Sequence, residues 1–341
     1  MTDQLIAGMD RHIVEEMNLA DEPLVRSELD RYLEVRIPEG TRPEAVGADD
    51  LTGRTPRVWT EPFDRLPQNL YLARLGDLTV FGRKLISPLK RDGALAELNC
   101  SRICASSILG VHVSHQVHES GYSVFYTPLG AGEKLFLFER IAADPSTEIV
   151  HPFAYLAGGK ERSSPPTGWS VAPERSENLG VGEEVLRRYT LGLLRRHAPE
   201  GAVFYDPACS TGQFLAELKQ EFPSCTTVGQ DLSADMVRLA ATRVDRVVCD
   251  DAIRPGVADR SVDWMFLRFL NSEVVTTGYA FELFRALAGK VKDDGRIVVL
   301  GHTPVLLQSS FFQEQGFVVE QASGATEDGS YVFQYYVLRR G

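Results

Sequence analysis

The sequence predicts an α/β protein, with a mainly parallel sheet in its C-terminal half and a mixed α+β domain before it. From about residue 165 onward, short apolar runs rich in β-branched residues alternate with helical patterns, which is typical of a parallel sheet covered by helices. Seven runs have strand character there, with helices between the first five and two strands at the end. A turn of small residues links the first strand to its helix, at the edge where open α/β sheets bind ligands.

Length and composition limit the function classes. The chain has 341 residues, a length that predicts two domains or one domain with a large elaboration. Its 43% hydrophobic and 24% charged residues exclude a disordered or fibrous protein. There is no apolar stretch for a membrane span or signal peptide and no disulfide framework among five cysteines, so we expect a cytoplasmic protein without a membrane partner. The net charge of -11 repels phosphate backbones, which favours a small-molecule substrate over nucleic acid. A homodimer is the default expectation.

The C-terminal elements follow one another regularly. Strands are predicted at 203–205, 226–229, 246–249, 262–269, 296–300, 317–319 and 331–338. Helices are predicted at 213–222, 234–243 and 279–290, with one more helix before the first strand and a turn at 293–295.

The N-terminal elements are less regular. The pattern predicts a helix within 1–35, a loop over 37–66, strand character over 69–87, a helix over 93–107, a hairpin of 111–118 with 122–127, and strands at 135–139 and 147–155. Clustered Gly, Ser and Pro follow. We therefore predict an N-terminal accessory domain over 1–160, a linker or lid over 161–180 and a ligand-binding domain over 181–341.

The turn after the first C-terminal strand is the predicted ligand site. Small side chains there allow a ligand to approach the backbone, and the N–H groups of the next helix face the same edge. The candidate binding residues in this turn are Asp206, Ala208, Ser210, Thr211 and Gly212.

Acidic residues end the next two strands. Asp231 comes 19 residues after Gly212 and is placed to accept hydrogen bonds from ribose hydroxyls, with Leu232 beside it. Asp250 and Asp251 end the third strand, where a carboxylate could receive an adenine amino group. No Gly-x-Gly-x-x-Gly or Gly-Lys-Ser/Thr phosphate motif occurs, which favours a nucleoside without phosphates, and a cationic sulfonium nucleoside suits an acidic site.

These residues carry a resemblance to a known family. The chain from Val181 to Gly341 resembles the class I S-adenosylmethionine (SAM)-dependent methyltransferases, whose first motif reads acidic-x-Gly-x-Gly-x-Gly. Residues 206–212 read Asp-Pro-Ala-Cys-Ser-Thr-Gly, so Ala208 and Ser210 replace the first two glycines. The resemblance implies a Rossmann-like seven-stranded sheet, SAM as co-substrate or sole substrate, Asp231 at the ribose, and Asp250 with Asp251 near the adenine.

The motif also bears on the reaction. Asp-Pro-Ala-Cys looks like the first motif of N6-adenine DNA methyltransferases, but their Asn-Pro-Pro-Tyr/Phe motif is absent from 266–272. The longer string Asp-Pro-Ala-Cys-Ser-Thr-Gly-Gln-Phe-Leu is more similar to 3-amino-3-carboxypropyl transferases of the isonocardicin synthase type and to azetidine-2-carboxylate synthases. That similarity implies attack at the methionine γ-carbon with release of methylthioadenosine, either by transfer to a small acceptor or by cyclisation of SAM.

Two alternatives stay open. One is an O- or N-methyltransferase acting on a small molecule, with His302 or Glu273 as the base. The other is a non-catalytic module of the same fold that binds a partner protein.

Several side chains are candidates for the chemistry. An aromatic ring can stabilise a sulfonium by cation–π contact. The candidates for that contact are Tyr205, Trp169 and Phe204. Donors for the α-carboxylate are Ser210, Thr211 and Arg175. Asn178 or Asn271 could accept a hydrogen bond from the reacting amine. The predicted catalytic set is Tyr205, Ser210, Asn178 and Asn271.

No metal site is predicted. On a regular strand His112 and His118 share one face and His115 points to the other, so the three would not converge. Cys100 and Cys104 lie one turn apart on the predicted helix, but two thiols alone do not make a zinc site.

Overall fold

The computed structural model describes residues 37–63, 67–91, 94–156, 158–161, 163, 168, 183–301 and 303–341. The chain divides into two compact units: the first runs to Ala154 and includes Glu327–Phe333, and the second comprises Tyr155–Thr326 and Gln334–Gly341. No helix in the described residues is both long enough and apolar enough to span a membrane.

The first unit is built on antiparallel strands. They are β1 (Arg57–Pro62), β2 (Leu70–Leu75), β3 (Leu78–Arg83), β4 (Leu85–Arg91), β5 (Ala94–Arg102), β6 (Ile108–Val117), β7 (Gly121–Pro128) and β8 (Ile149–Val150). Six of them form a sheet in the order β1-β7-β6-β3-β2-β8, and β4 pairs with β5 separately. Helix α1 (Ala131–Ala143) follows β7. Alternate residues of β7, Tyr122, Val124 and Tyr126, belong to the apolar core of this unit.

Two predictions for this unit are wrong. The helix predicted at 93–107 is largely strand β5, because antiparallel pairing with β4 overrides the helical propensity of this segment. Cys100 and Cys104 therefore do not share a helical face. The strand predicted at 135–139 lies within α1, which buries Leu137, Phe138 and Ile141 at helical spacing. In the segment predicted as loop, strand β1 forms by pairing with β7.

The predicted hairpin is present as β6 and β7, but one feature of it differs. The register shifts between His112 and Ser114, which is the signature of a β-bulge. As a result His112 Nε2 and His115 Nδ1 lie 3.1 Å apart, so the prediction that these two rings point to opposite faces is wrong. Within the described residues, no group of three His, Cys, Asp or Glu side chains is arranged to hold a metal ion.

The second unit contains the predicted seven-stranded sheet. Its strands are β9 (Val203–Asp206), β10 (Thr226–Asp231), β11 (Arg246–Cys249), β12 (Val262–Leu267), β13 (Val291–Leu300), β14 (Phe317–Ala325) and β15 (Val332–Arg340). Their order is β11-β10-β9-β12-β13-β15-β14, with β15 antiparallel to β13. The helices are α2 (Glu184–His197), α3 (Gln213–Glu221), α4 (Ala234–Ala240), α5 (Thr277–Ala288) and α6 (Ser309–Glu314). This confirms the Rossmann-like class I methyltransferase sheet.

One turn predicted in this unit is wrong. Residues 293–295 lie inside strand β13, and the β12–β13 register shifts at this point. A Cβ at Gly295 would lie 2.9 Å from the carbonyl oxygen of Asp263, so the glycine is needed for close strand approach.

The central strands position the site. Strands β11, β10, β9 and β12 are parallel, so their carboxyl ends meet at one edge. All six residues of β12 are buried, as expected for a strand covered on both faces.

Candidate functional site

The turn over 206–212 has the conformation of a glycine-rich loop although it contains a single glycine. Ser210 adopts φ +53° and Gly212 adopts φ +78°, both in the left-handed region. The backbone N–H of Cys209 donates to the Gln230 carbonyl at 2.8 Å, which fixes the turn to β10. Ser210 therefore occupies the backbone conformation that glycine favours and still carries a hydroxyl. That hydroxyl contacts Met236 Sδ at 3.6 Å.

Asp206 binds the backbone of the turn through its carboxylate. It is fully buried at the end of β9, and its Oδ1 accepts the Ala208 N–H at 3.1 Å. Burial raises the pKa of Asp206, against the opposing effects of the Arg268 guanidinium and the Ala208 N–H. Thr211, predicted to donate a hydrogen bond to the α-carboxylate of the ligand, is also buried, with 1% exposure.

Asp231 joins the turn to the end of β10. Its Oδ2 accepts the Ser210 N–H at 2.8 Å and its Oδ1 accepts the Ser233 N–H at 2.9 Å. Burial raises the pKa of Asp231, while those two N–H groups act in the opposite direction. Each carboxylate oxygen can accept a further bond, so the group retains capacity for ribose hydroxyls. Leu232, the next residue, is 39% exposed.

The two acidic residues that follow β11 have different surroundings. The Tyr279 hydroxyl donates to both Asp251 oxygens, at 2.9 and 3.0 Å, and the Ile253 N–H donates to Oδ1 at 3.0 Å. Asp250 instead pairs with Arg254, whose guanidinium lowers the pKa of Asp250. Asp251 is therefore held in place by its neighbours, and Asp250 belongs to a more exposed ion pair.

Gln230 organises the loop after β11, a role that no pattern in the sequence indicates. The residue is fully buried, and its Oε1 accepts from the Tyr205 hydroxyl at 2.6 Å and from the Gly256 N–H at 2.7 Å. Its Nε2 donates to the carbonyl oxygens of Asp250, Asp251 and Arg254 at 3.2, 2.9 and 3.2 Å. One amide thus fixes the position of the predicted adenine-binding segment.

The aromatic candidates of β9 lie in the core. Tyr205 and Phe204 both have 0% exposure, and the rings of Phe222 and Phe266 pack edge-on against Phe204. Burial also raises the pKa of Tyr205. This burial argues against the predicted contact of either ring with a sulfonium.

Asn271 forms a turn after β12. Its Oδ1 accepts the Glu273 N–H at 3.0 Å and its Nδ2 donates to the Arg268 carbonyl at 3.3 Å. These bonds within the turn argue against the predicted contact between Asn271 and a reacting amine. Glu273, considered as a methyltransferase base, is partly buried.

A few described residues of the predicted linker or lid contact the second unit's site elements. Glu161 accepts the Thr277 N–H at 3.0 Å and the Thr277 hydroxyl at 2.5 Å, which gives the first N–H of α5 a partner two residues before Tyr279. A Cβ at Gly168 would lie 3.1 Å from Ser233 N, so this residue packs closely beside the end of β10. Trp169, Arg175, Asn178 and His302 lie outside the described residues.

Arg268 is the charged site residue that the sequence reasoning missed. It follows β12 directly, and its Nε and Nη1 donate to Asp206 Oδ2 at 3.1 Å and to Glu183 Oε2 at 2.6 Å. A cation directly after the apolar run 264–267 was the available signal. Its partners lie 62 and 85 positions away in sequence, so the network itself could not be read from spacing.

The geometry agrees with the comparisons to known proteins. Residues 204–295 match the family model described as a methyltransferase domain. The chain is 40% identical over 296 residues to isonocardicin synthase from Nocardia uniformis subsp. tsuyamanensis, an alignment that covers 85% of this chain and 98% of that protein.

Solved structures are similar to about half of the chain. Magnesium protoporphyrin IX methyltransferase from Synechocystis PCC 6803 with bound SAM is 17% identical, covering 51% of this chain and 87% of that one, with a TM-score of 0.39. A SAM-dependent methyltransferase from Aquifex aeolicus is 16% identical, covering 50% of this chain and 99% of that one, with a TM-score of 0.40.

The long match at 40% identity decides the family. The chain belongs to the isonocardicin synthase family and is a SAM-dependent alkyl transferase of the class I methyltransferase fold.

Proposed function

We propose that this protein transfers the 3-amino-3-carboxypropyl group of SAM to a small acceptor and releases methylthioadenosine. The observation that carries the proposal is the alignment with isonocardicin synthase, which extends over 98% of that protein. The match reaches well beyond the 92-residue methyltransferase segment 204–295, so it includes much more than the cofactor turn.

The hydrogen-bond acceptors of the site fit SAM. Asp231 and Asp251 present carboxylate oxygens at the ends of adjacent strands, which suits the hydroxyl and amino donors of an adenosine group. The structure has no lysine bonded to the 206–212 turn among the described residues, in keeping with a ligand that lacks phosphates. Ionised Asp206 and Asp231 would also attract the cationic sulfonium.

The reaction class needs positioning more than acid–base chemistry. SAM supplies an electrophilic carbon attached to a good leaving group. The acceptor lone pair forms the new bond to the γ-carbon as the C–S bond breaks, and the electron pair of the C–S bond stays on the sulfur of neutral methylthioadenosine. The acceptor releases its proton to solvent. The role of this chain is to hold the γ-carbon in line with the acceptor and to exclude water. The turn over 206–212, fixed by Asp206 and Asp231, is the part of the described structure suited to that task.

Product analysis tests the proposal. The purified full chain is incubated with SAM, with and without a panel of small nucleophiles, and the products are identified by mass spectrometry. We expect methylthioadenosine and an acceptor carrying the 3-amino-3-carboxypropyl group only when the correct acceptor is present.

Each other outcome identifies a different reaction. S-adenosylhomocysteine as the only nucleoside product would show methyl transfer. Methylthioadenosine with azetidine-2-carboxylate in the absence of an acceptor would show cyclisation. Asp231→Asn should weaken product formation, and Asp235→Asn, which removes an exposed carboxylate that pairs with Arg238 on α4, is the matched control.

A further inference from the structure

Arg268 lies where three parts of the second unit meet. It bonds to Asp206 at the end of β9 and to Glu183 just before α2. Its guanidinium also lies over the ring of Phe214 on α3, with Cζ 4.9 Å from the ring centre. The Arg268 side chain is only 12% exposed. Of these elements, β9 and α3 directly flank the 206–212 turn.

A buried guanidinium of this kind needs its partners. Removing a charge from water is expensive, and only well-formed ionic hydrogen bonds compensate for it. Asp206 depends on Arg268 in the same way, because Asp206 is fully buried and would lose its cation if Arg268 were removed. Glu183 also pairs with Arg187, which in turn pairs with Glu217. When ionised, the three carboxylates of this cluster outnumber its two guanidinium groups, so the cluster keeps a net negative charge beside the predicted site of a cationic ligand.

We infer that Arg268 is a positioning residue for SAM binding, which acts by holding ionised Asp206 against the cofactor turn and Glu183 at the same point. Asp206 Oδ1 accepts the Ala208 N–H, and Asp231 Oδ2 accepts the Ser210 N–H, so two carboxylates hold the backbone of the turn at two points. Arg268 secures the first of these carboxylates. The inference rests on the SAM dependence of the protein and does not depend on which carbon of SAM reacts.

The charges around Asp206 set the expected pH dependence. Asp231 on β10 and the Cys209 thiol in the turn lie near it, while Arg268 provides the opposing cation and also binds Glu183. Burial and Asp231 raise the pKa of Asp206, and Arg268 lowers it. Without the guanidinium, Asp206 would therefore take up a proton at a higher pH and lose its negative charge.

Calorimetric titration of SAM into the full chain tests this inference, with Arg268→Gln, Arg268→Lys and a control. Arg296→Gln is the matched control, since Arg296 pairs with Glu320 at 2.8 Å and lies over the Trp264 ring, but is placed on β13 away from the turn. Dissociation constants are measured from about pH 6 to about pH 8.5. For Arg268→Gln we expect SAM to bind about tenfold or more weakly at neutral pH and to recover affinity as the pH rises.

The expected results for the other two variants differ from that for Arg268→Gln. Arg268→Lys keeps the charge with fewer hydrogen bonds, so we expect a smaller loss of affinity and a pH profile like that of the unchanged chain. Arg296→Gln should bind SAM like the unchanged chain. In steady-state kinetics, the Arg268→Gln effect should fall mainly on KM.

Three results would overturn the inference. They are an unchanged dissociation constant in Arg268→Gln, an equal loss in Arg296→Gln, and a loss in Arg268→Gln that does not vary with pH. If Arg268→Gln does not fold by circular dichroism, Arg268→Lys decides: full affinity in that variant would show that the paired hydrogen bonds are not needed. Binding is measured without an acceptor, so methyl transfer to an acceptor would contradict the proposed function and leave this result intact.

Discussion

Ser210 has a backbone conformation that side chains other than glycine rarely adopt, with φ +53°. The left-handed region costs a non-glycine residue about 1–2 kcal/mol, and such residues are often found at functional sites. The position lies in the cofactor turn, where its N–H donates to Asp231. The hydroxyl is thus placed in the turn in spite of a conformational cost.

Two substitutions distinguish the effect of the Ser210 hydroxyl from the effect of its backbone conformation. Ser210→Ala removes the hydroxyl and keeps the Cβ, while Ser210→Gly removes both and relieves the left-handed conformation. If the hydroxyl contacts SAM or the acceptor, both variants should lose turnover to a similar extent, about tenfold for one lost hydrogen bond to a charged group. Release of methylthioadenosine is the measurement, with the unfolding temperature measured alongside. Normal turnover in both would remove the hydroxyl from the site.

The positions of the acidic residues at the strand ends could be predicted from the sequence, but their bonding partners could not. Asp206, Asp231 and Asp251 could be found because each ends or follows a recognisable strand. Arg268 pairs with Glu183, far away in the chain, and a single sequence does not show such a contact. The direction of the Tyr205 ring could not be predicted, because an aromatic residue beside a turn looks the same in sequence whether its ring points to the ligand or into the core.

Gly212 begins α3 and determines how closely this helix approaches α4. Its φ is +78°, and a Cβ there would lie 3.1 Å from both Cα and Cβ of Ala240. Conformation and space therefore both require glycine. Of the three motif glycines, this is the one that the chain retains.

Substitution of Gly212 should weaken the fold locally. We expect Gly212→Ala to lower the free energy of unfolding by about 1–3 kcal/mol, from the left-handed conformation and the close contact with Ala240. Gly278→Ala is the control, because a Cβ on this α5 glycine meets nothing within 4 Å. It should be neutral or stabilising by up to about 1 kcal/mol. Denaturant unfolding measures both, and equal stability of the two variants would contradict this account.

Elements with a clear period were predicted well. Strands β9 to β12 and helices α3 and α5 were found because apolar runs alternate there with helical patterns, whereas β5 was predicted as part of a helix. Strand β5 forms because it pairs with β4, and pairing between two segments produces no periodic pattern within either of them. Helix α6, of six residues, is too short to give a periodic signal.

Ligand binding should stabilise the whole molecule in a pH-dependent way. A ligand present at 100 times its dissociation constant adds about 2.7 kcal/mol to the stability of the state that binds it. Burial raises the pKa values of Asp206 and Asp231, so in the folded protein both gain protons above the ordinary aspartate range near pH 4. Protonation removes the negative charge that favours SAM and reduces the acceptor capacity of the carboxylates.

The rise in unfolding temperature caused by SAM should therefore shrink as the pH falls from about 7 to about 5. The sign differs for the protein without SAM. Since the folded pKa values of these two groups are raised, they favour the folded state more as the pH falls. Differential scanning fluorimetry with and without SAM at each pH separates the two effects. A SAM-induced rise that is equal at both ends of the range would contradict the prediction.

The path of the chain has a consequence for its genetic history. The polypeptide leaves the first unit after Ala154, returns to it at Glu327–Phe333, and then ends in the second. Val332, the first residue of β15, still belongs to the first unit and forms a β-bridge with Ile103 there. A single recombination crossover near residue 155 would thus separate Ile103 from its bridging partner. Exchange of either unit with another gene needs a compensating change in the 327–333 segment, so the two units are expected to be inherited together.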